Sequence, residues 1–376
     1  MVRSALGIIF SLLSVLFIAP TSMAAEPAKS GAQKKQSAKK AVVRHGAKRH
    51  ATAKKQKRVR VTLAHGSLNS RERLVKKVVL VHGKRKVSYY RVAYSPSIPA
   101  VPPVLTAGDL AGLNLTRDPL ELKSNVALVL DQNTSEVLFE KNSQVALPIA
   151  SITKLMTSLV VVEANQDMNE VLTVSQDDVD KEKNSHSRLR IGSQLTRANM
   201  LHIALMSSEN RAASALGRHY PGGLPAFVAA MNAKAQSLGM SHTRYVDSTG
   251  LSSSNVASAG DLAKLVAAAH QHPIIRQYST DSKYAVDPGG SILEYRNSNH
   301  LVENPTWEIG LQKTGFISEA GRCLVMQAKI EGRAIIMVFL DSKGKMSRLA
   351  DAGRIRKWLE TPRPPTMSRT AGVIQS

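Results

Sequence analysis

The chain has a single cysteine, Cys323, so no intramolecular disulfide can staple it and its stability has to come from a packed core. It contains no paired-cysteine set and no H-E-x-x-H, which removes the common zinc arrangements, and its histidines, His186 and His202 among them, are scattered. No metal and no cofactor are expected. Aromatic residues make up 4 % of the chain, too few for a platform that stacks single-stranded nucleic acid. Long apolar runs are missing as well. The best candidate lies near the N-terminus and is about 14 residues long, against the roughly 20 that a membrane span needs. Arg3 precedes it, Pro20 breaks it, and Ser22, Met23 and Ala24 close it with small residues. Residues 1–24 therefore read as a secretory signal, cleaved after Ala24 or Ala25.

Acids are almost absent from residues 26–91, where 21 lysines and arginines stand against Glu26 and Glu72, and this segment carries most of the chain's net charge of +23. A basic excess of that size is the usual footprint of phosphate binding. After export, however, the polyanions within reach are lipid headgroups and acidic wall polymers, so a nonspecific hold on the anionic envelope surface is expected and nucleic acid is not. The expected location is the periplasm, with a loose membrane association left open. Residues 25–95 form a basic arm with too little hydrophobicity to offset chain entropy, and it is expected to be mostly disordered. Within it "LVKKVVLVHGKRKVSYYRVAY" has β-forming residues about a His82-Gly83 turn, which suggests a hairpin. A Pro-containing linker follows over residues 96–118, then a compact domain over 119–362 and a short tail over 363–376.

With 43 % hydrophobic residues, the chain can supply one domain of about 250 residues. "SNVALVLDQNTSEVLFEKNS" places two apolar runs about a Gln132-Asn133-Thr134-Ser135 turn, a second hairpin. Helical periods follow over about 152–165, 197–217 and 224–239, the last stopped by Gly239. "WEIGLQKTGF" and "GRCLVMQAKIEGRAIIMVFLDS" then read as strands, and "KMSRLADAGRIRKWLE" as a closing helix. The order implies an α/β fold in which one antiparallel sheet, flanked by helices, is split by an all-helical insertion.

Three short patterns carry chemistry. Ser-x-x-Lys occurs at Ser37, Ser151 and Ser342, but only Ser151 heads an apolar helical run. Three residues apart on a helix share a face, so the Lys154 amine can reach the Ser151 hydroxyl at the positive end of the helix dipole. A hydroxyl needs a base, and an ammonium is not one, so Lys154 would have to be desolvated or set beside another cation. The plainer alternative is a capping serine with a solvated lysine behind it. Ser208-Glu209-Asn210 is a Ser-x-Asn after an apolar helix, and the pattern recurs at Ser67 and Ser253. Its hydroxyl can relay a proton, and its amide can orient a lysine or hold a carbonyl. Lys313-Thr314-Gly315 is unique in the chain: a cation and a hydroxyl on one strand can hold a carboxylate, and the glycine lets a peptide add as a strand. Cys323 reads as a buried strand residue.

In this order the three motifs resemble the signature set of the penicillin-binding proteins and serine β-lactamases, with Glu209 departing from the Ser-Asp-Asn of the class A enzymes. "ASITKLMTSLV", "LMSSENRAASAL", "STGLSSSNVASAGDLAKL" and "QKTGFISEAGRCLVM" are similar to the low-molecular-mass D-alanyl-D-alanine peptidases, most of all their endopeptidase branch, over about residues 125–360. The resemblance implies that Ser151 is acylated, Lys154 is its general base, Ser208 and Asn210 relay a proton and contact substrate, and Lys313, Thr314 and Gly315 bind the carboxylate end. It also implies an oxyanion hole of the Ser151 and Phe316 backbone N–H groups, where loss of one donor typically costs about 100 to 1,000-fold in rate. The implied partners are cross-linked peptidoglycan stems as substrate and β-lactams as covalent inhibitors. No Glu-x-x-x-Asn follows Asn210 at a suitable distance, and Glu294, Glu303 and Glu308 come too late, so slow release of penicillin is expected rather than resistance. A D-alanyl-D-alanine carboxypeptidase shares all this chemistry. The short sequence after Glu360 favours the endopeptidase type. A non-catalytic envelope-binding protein would require a degenerate site, and no motif is missing.

Overall fold

A computed structural model of the chain describes residues 72–81, 83–93 and 104–361. The expected signal, most of the basic arm and the tail, with the patterns at Ser37 and Ser67, lie outside the described residues. Two compact units divide at Pro96. In the first, β1 (Glu72–Val81) and β2 (Lys84–Ala93) pair antiparallel with Val78 opposite Val87 and Val81 opposite Lys84. Gly83 takes a left-handed φ of 71° in the connection, as a tight hairpin turn requires.

The second unit is built on a five-stranded antiparallel sheet of β3 (Ser124–Asp131), β4 (Val137–Lys141), β5 (Glu308–Ile317), β6 (Gly321–Ile330) and β7 (Arg333–Ser342), in the order β5-β6-β7-β3-β4. The chain lays down β3 and β4, leaves for the helical region, and returns to complete the sheet, as the element order implied. Strand periodicity divides the core in two. Val126, Leu128, Val325 and Val338 face the helical insertion, whereas Ala127, Val129, Met326 and Phe339 face the C-terminal helix.

The insertion supplies α1 (Thr153–Glu163), α2 (Arg197–Met206), α3 (Asn210–Arg218), α4 (Gly223–Ser237), α5 (Ala259–His270) and α6 (Pro273–Thr280), and α7 (Ser347–Glu360) closes the other face with Leu349, Ala352 and Ile355. From Thr153 to Val161 every residue of α1 is buried, so it is the central helix of the unit rather than an amphipathic surface helix. Among the described residues, no helix is long and apolar enough to cross a membrane.

Two expectations need correction. The continuous helix expected over 197–217 is two helices, because Ser207, Ser208 and Glu209 break it: Ser208 adopts a φ of 65°, and the Glu209 carboxylate caps α3 by accepting from Arg211 N at 3.3 Å. Polar residues that bond to nearby backbone favour such ends over helix interiors. Second, the packed unit begins before Pro119. Thr106 Oγ1 donates to Asp341 Oδ2 at 2.8 Å, Ala107 N donates to Glu319 O at 2.8 Å, and Leu113 joins the core. The prolines that suggested a linker end at Pro103, and the residues after it are apolar and capped.

One loop is laid tightly against the head of α1. Asp247 Oδ1 accepts from Thr249 N (2.5 Å), Thr249 Oγ1 (2.8 Å) and Gly250 N (2.6 Å), while Asn255 ties the loop to Thr153 Oγ1 at 3.1 Å. Thr157 Oγ1 donates to Ser248 O at 2.7 Å. Gly250 has a φ of +79°, and a Cβ there would lie 2.0 Å from Ala150 O, an unmovable backbone atom. Gly250→Ala is therefore expected to destabilise the unit by about 2 kcal/mol or more, a fall in Tm of roughly 4–8 °C by calorimetry; an unchanged Tm would show that the loop does not pack here.

Candidate active site

The head of α1, the break between α2 and α3, the edge strand β5 and the loop at Thr249 converge on one cleft of about 470 Å³. Ser151 sits in the 3-10 turn Ala150–Ile152 that leads into α1. The residue at the helix cap is Ile152, without a side-chain cap bond, so Ser151 is not the capping serine of the plainer alternative. Nor is Lys154 a solvated lysine. It is fully buried, and its Nζ donates to Ser151 Oγ at 3.0 Å, Asn210 Oδ1 at 2.7 Å and Thr249 O at 2.6 Å.

Burial lowers the Lys154 pKa to about 8, against the opposing pull of the Asp247 and Glu209 charges. At pH 7 about one-tenth of the lysine is then neutral, several hundred-fold more than for a lysine in water. A neutral amine at this distance can take the Ser151 proton. Next to it, Ala150 holds a φ of 49°, an uncommon conformation for a residue with a side chain, and Gly315 accommodates it: a Cβ on Gly315 would lie 3.0 Å from Ser151 N and 3.1 Å from Ala150 Cβ. The glycine is what lets the edge strand approach the Ser151 amide.

Ser208 and Asn210 line the opposite wall of the cleft. Asn210 Nδ2 donates to Ser185 Oγ at 2.8 Å, so one amide holds Lys154 on one side and the 180–190 loop on the other. Glu209 points away from the cleft: its carboxylate accepts from Ser187 Oγ at 2.6 Å and Tyr295 OH at 3.4 Å. The aspartate-to-glutamate departure therefore changes a supporting contact and not the cleft wall.

On β5, Lys313 is fully buried, with Nζ donating to Thr314 O at 2.8 Å, and Thr314 Oγ1 lies 2.7 Å from Ser298 Oγ. Burial, then the nearby positive charges of Lys154 and Arg348, pull the Lys313 pKa well below its ordinary value. Arg348, in the first turn of α7, lines the cleft, and its buried Nε and Nη1 have no hydrogen-bond partner among the described residues. Lys313 and Arg348 thus crowd positive charge beside Lys154, and the unpartnered Arg348 donors can bind an anion. Phe316 stands exposed on the rim with the Arg322 guanidinium 4.4 Å from its ring centroid, and Lys183 Nζ pairs with Glu319 at 2.5 Å across one end of the cleft.

Sequence reasoning missed Thr249 with its Asp247 clamp, Ser185, Ser298 and Arg348. The words "STGLSSSNVASAGDLAKL" held the first of these, but the contact is a backbone carbonyl, which no side-chain pattern announces. Asn255, one of the spare Ser-x-Asn matches, is a buried strut of that loop. Ser342 ends β7, bonded to Ser347 Oγ at 2.6 Å. His186 is exposed, and His202 is buried with Nε2 3.0 Å from Asp281, stacked on Tyr278 and Tyr284. Burial pushes the Cys323 thiol up to about 12. Among the described residues, no three His, Cys, Asp or Glu side chains gather as a metal site.

A family model described as D-alanyl-D-alanine carboxypeptidase matches residues 114–344. The chain is 50 % identical over 253 residues to a D-alanyl-D-alanine endopeptidase of Pseudomonas aeruginosa, covering 67 % of this chain and 81 % of that one. It is 43 % identical over 281 residues to a D-alanyl-D-alanine endopeptidase of Escherichia coli, covering 74 % and 89 %. The crystal structure of a Streptomyces DD-transpeptidase superposes with a TM-score of 0.60 at 25 % identity, over 65 % of this chain and 98 % of that one. The chain belongs to the D-alanyl-D-alanine carboxypeptidase family of serine peptidases.

Proposed function

We propose that the chain is a penicillin-sensitive serine DD-endopeptidase that opens D-alanyl cross-links of peptidoglycan through an acyl-enzyme on Ser151. One observation carries this reading: the buried Lys154 amine, 3.0 Å from Ser151 Oγ and held by Asn210 and Thr249. In its neutral form the amine accepts the hydroxyl proton as Ser151 Oγ attacks the D-Ala carbonyl. The carbon–nitrogen bond then breaks as the Lys154 ammonium returns that proton, through the Ser208 hydroxyl, to the leaving amine. Water attacks the resulting ester, the again neutral Lys154 accepts its proton and passes it to Ser151 Oγ as the ester bond breaks, and Ser151 is regenerated.

The oxyanion is received by the backbone N–H groups of Ser151 and Phe316, which the missing side chain of Gly315 keeps close. Asn210 contacts the acyl-side carbonyl. Lys313 and Thr314, joined by Arg348, take the carboxylate on the leaving side. That assignment is supported by the crowding of cations, which a bound anion relieves. Among the described residues no carboxylate lines the cleft to activate water against a penicilloyl ester, which favours slow deacylation. The endopeptidase names of the two relatives favour the endopeptidase, and the family's carboxypeptidase name keeps that activity as the second reading. The setting is the periplasm, supported by the signal-like run at residues 1–24, and residues 25–95 add salt-sensitive adhesion to anionic envelope surface.

Mass spectrometry after exposure to a penicillin is expected to find an acyl adduct on Ser151 that is absent from Ser151→Ala and persists over many minutes. An adduct on another residue would remove Ser151 from its role, and release within seconds would contradict slow deacylation. Digestion of purified cross-linked muropeptides is expected to yield monomers. Release of free D-alanine with the cross-links intact would replace the endopeptidase by the carboxypeptidase.

A further inference from the structure

The cleft does not end at Asn210. Ser208 and Asn210 also line a hollow of about 270 Å³ beyond the Ser-Glu-Asn break, and His186 and Arg188 of that hollow in turn line a larger one of about 580 Å³. The shared walls make one groove running from the nucleophile along the 186–193 segment. Gly192, Gly289 and Gly290, all with positive φ, form its far rim, where no side chain narrows it.

The groove is basic. Arg188 lies 3.9 Å above the Tyr295 ring and donates through Nη1 to Glu294 O, which fixes its guanidinium. Arg190 is exposed on the larger hollow, and its side chain makes no hydrogen bond or ion pair among the described residues. No carboxylate lines that hollow. The nearest in sequence, Asp287, accepts from the Gly289 and Gly290 amides, and Glu209 in the first hollow is taken by Ser187 and Tyr295. One fixed guanidinium and one free one thus face the larger hollow, whose lining holds no carboxylate, while Glu209 of the smaller hollow is held by Ser187 and Tyr295, in line with the side of Asn210 that receives the acyl half of the substrate.

We propose that this groove binds the acyl-side peptide and that Arg190, with Arg188, selects peptides bearing free carboxylates. The inference rests on the peptidase reading and adds the specificity of its acyl side. Guanidinium groups suit carboxylates because their planar donors match both oxygens.

The test uses the full chain and two synthetic cross-linked peptides that differ only in whether the acyl-side carboxylates are free or amidated. The free form is expected to have a KM lower by about tenfold, the size of one charge-assisted contact, with a gap that narrows at high salt. Arg190→Glu is expected to abolish the gap and Arg190→Lys to keep most of it, whereas a role in mere structure would lower kcat for both peptides alike. Equal KM values for the two peptides in the unmodified chain would overturn the groove while leaving the peptidase intact. A gap undiminished in Arg190→Glu would overturn the assignment to Arg190. If the unmodified chain cleaves neither peptide, the peptidase reading fails and takes the groove with it.

Discussion

Everything at the site depends on the burial of one amine. An ammonium withdrawn from water is costly unless it is paired, and among the described residues Lys154 has no carboxylate in contact but donates to Ser151 Oγ, Asn210 Oδ1 and Thr249 O. Asp247 and Glu209 act on it from farther off, restoring part of its proton affinity. The balance leaves a lysine that is protonated often enough to be held by three oxygens and neutral often enough to act as a base. A salt bridge to Lys154 would have stabilised the charged form, which cannot accept a proton.

The fold serves this balance by bringing four distant segments to one point. Splitting the sheet places the head of α1 beside β5, although more than 150 residues separate Ser151 from Lys313. Gly315 and Gly250 make the approach possible from two sides, one admitting the strand and the other the loop that carries Thr249 O. The break at Ser208 turns Asn210 toward the lysine, and Glu209, buried against Ser187 and Tyr295, anchors that break. Lys313 and Arg348 add a second concentration of buried basic groups, crowded beside Lys154.

Much of this was legible in the residues. Strand and helix periods and their order revealed the split antiparallel sheet, whereas the Ser-x-x-Lys spacing put Ser151 and Lys154 on one helix face but left a capping serine as the plainer alternative, and only the three motifs together, through the family they resemble, singled the pair out. Lys313-Thr314-Gly315 was legible because the pattern occurs once in the chain and in a strand-like setting. The rest was not, for identifiable reasons. The helix break was hidden because apolar residues keep their period on both sides of Ser207–Glu209. Thr249 acts through its backbone, and Arg348 reaches the cleft from a helix whose own pattern speaks only of packing. The start of the packed unit was hidden by the prolines ahead of it, while the residues that dock there, Thr106 and Leu113, find partners far along the chain.

The central claim is that Lys154 is the base for Ser151, and the pH dependence of acylation tests it most directly. The second-order rate of Ser151 acylation by a penicillin, followed by stopped flow from pH 5.5 to 10.5, should rise as the amine loses its proton and level off with an inflection near 8, the value to which burial brings Lys154. A rate that is flat across this range, or one still climbing toward the 10.5 of an ordinary lysine, would contradict it.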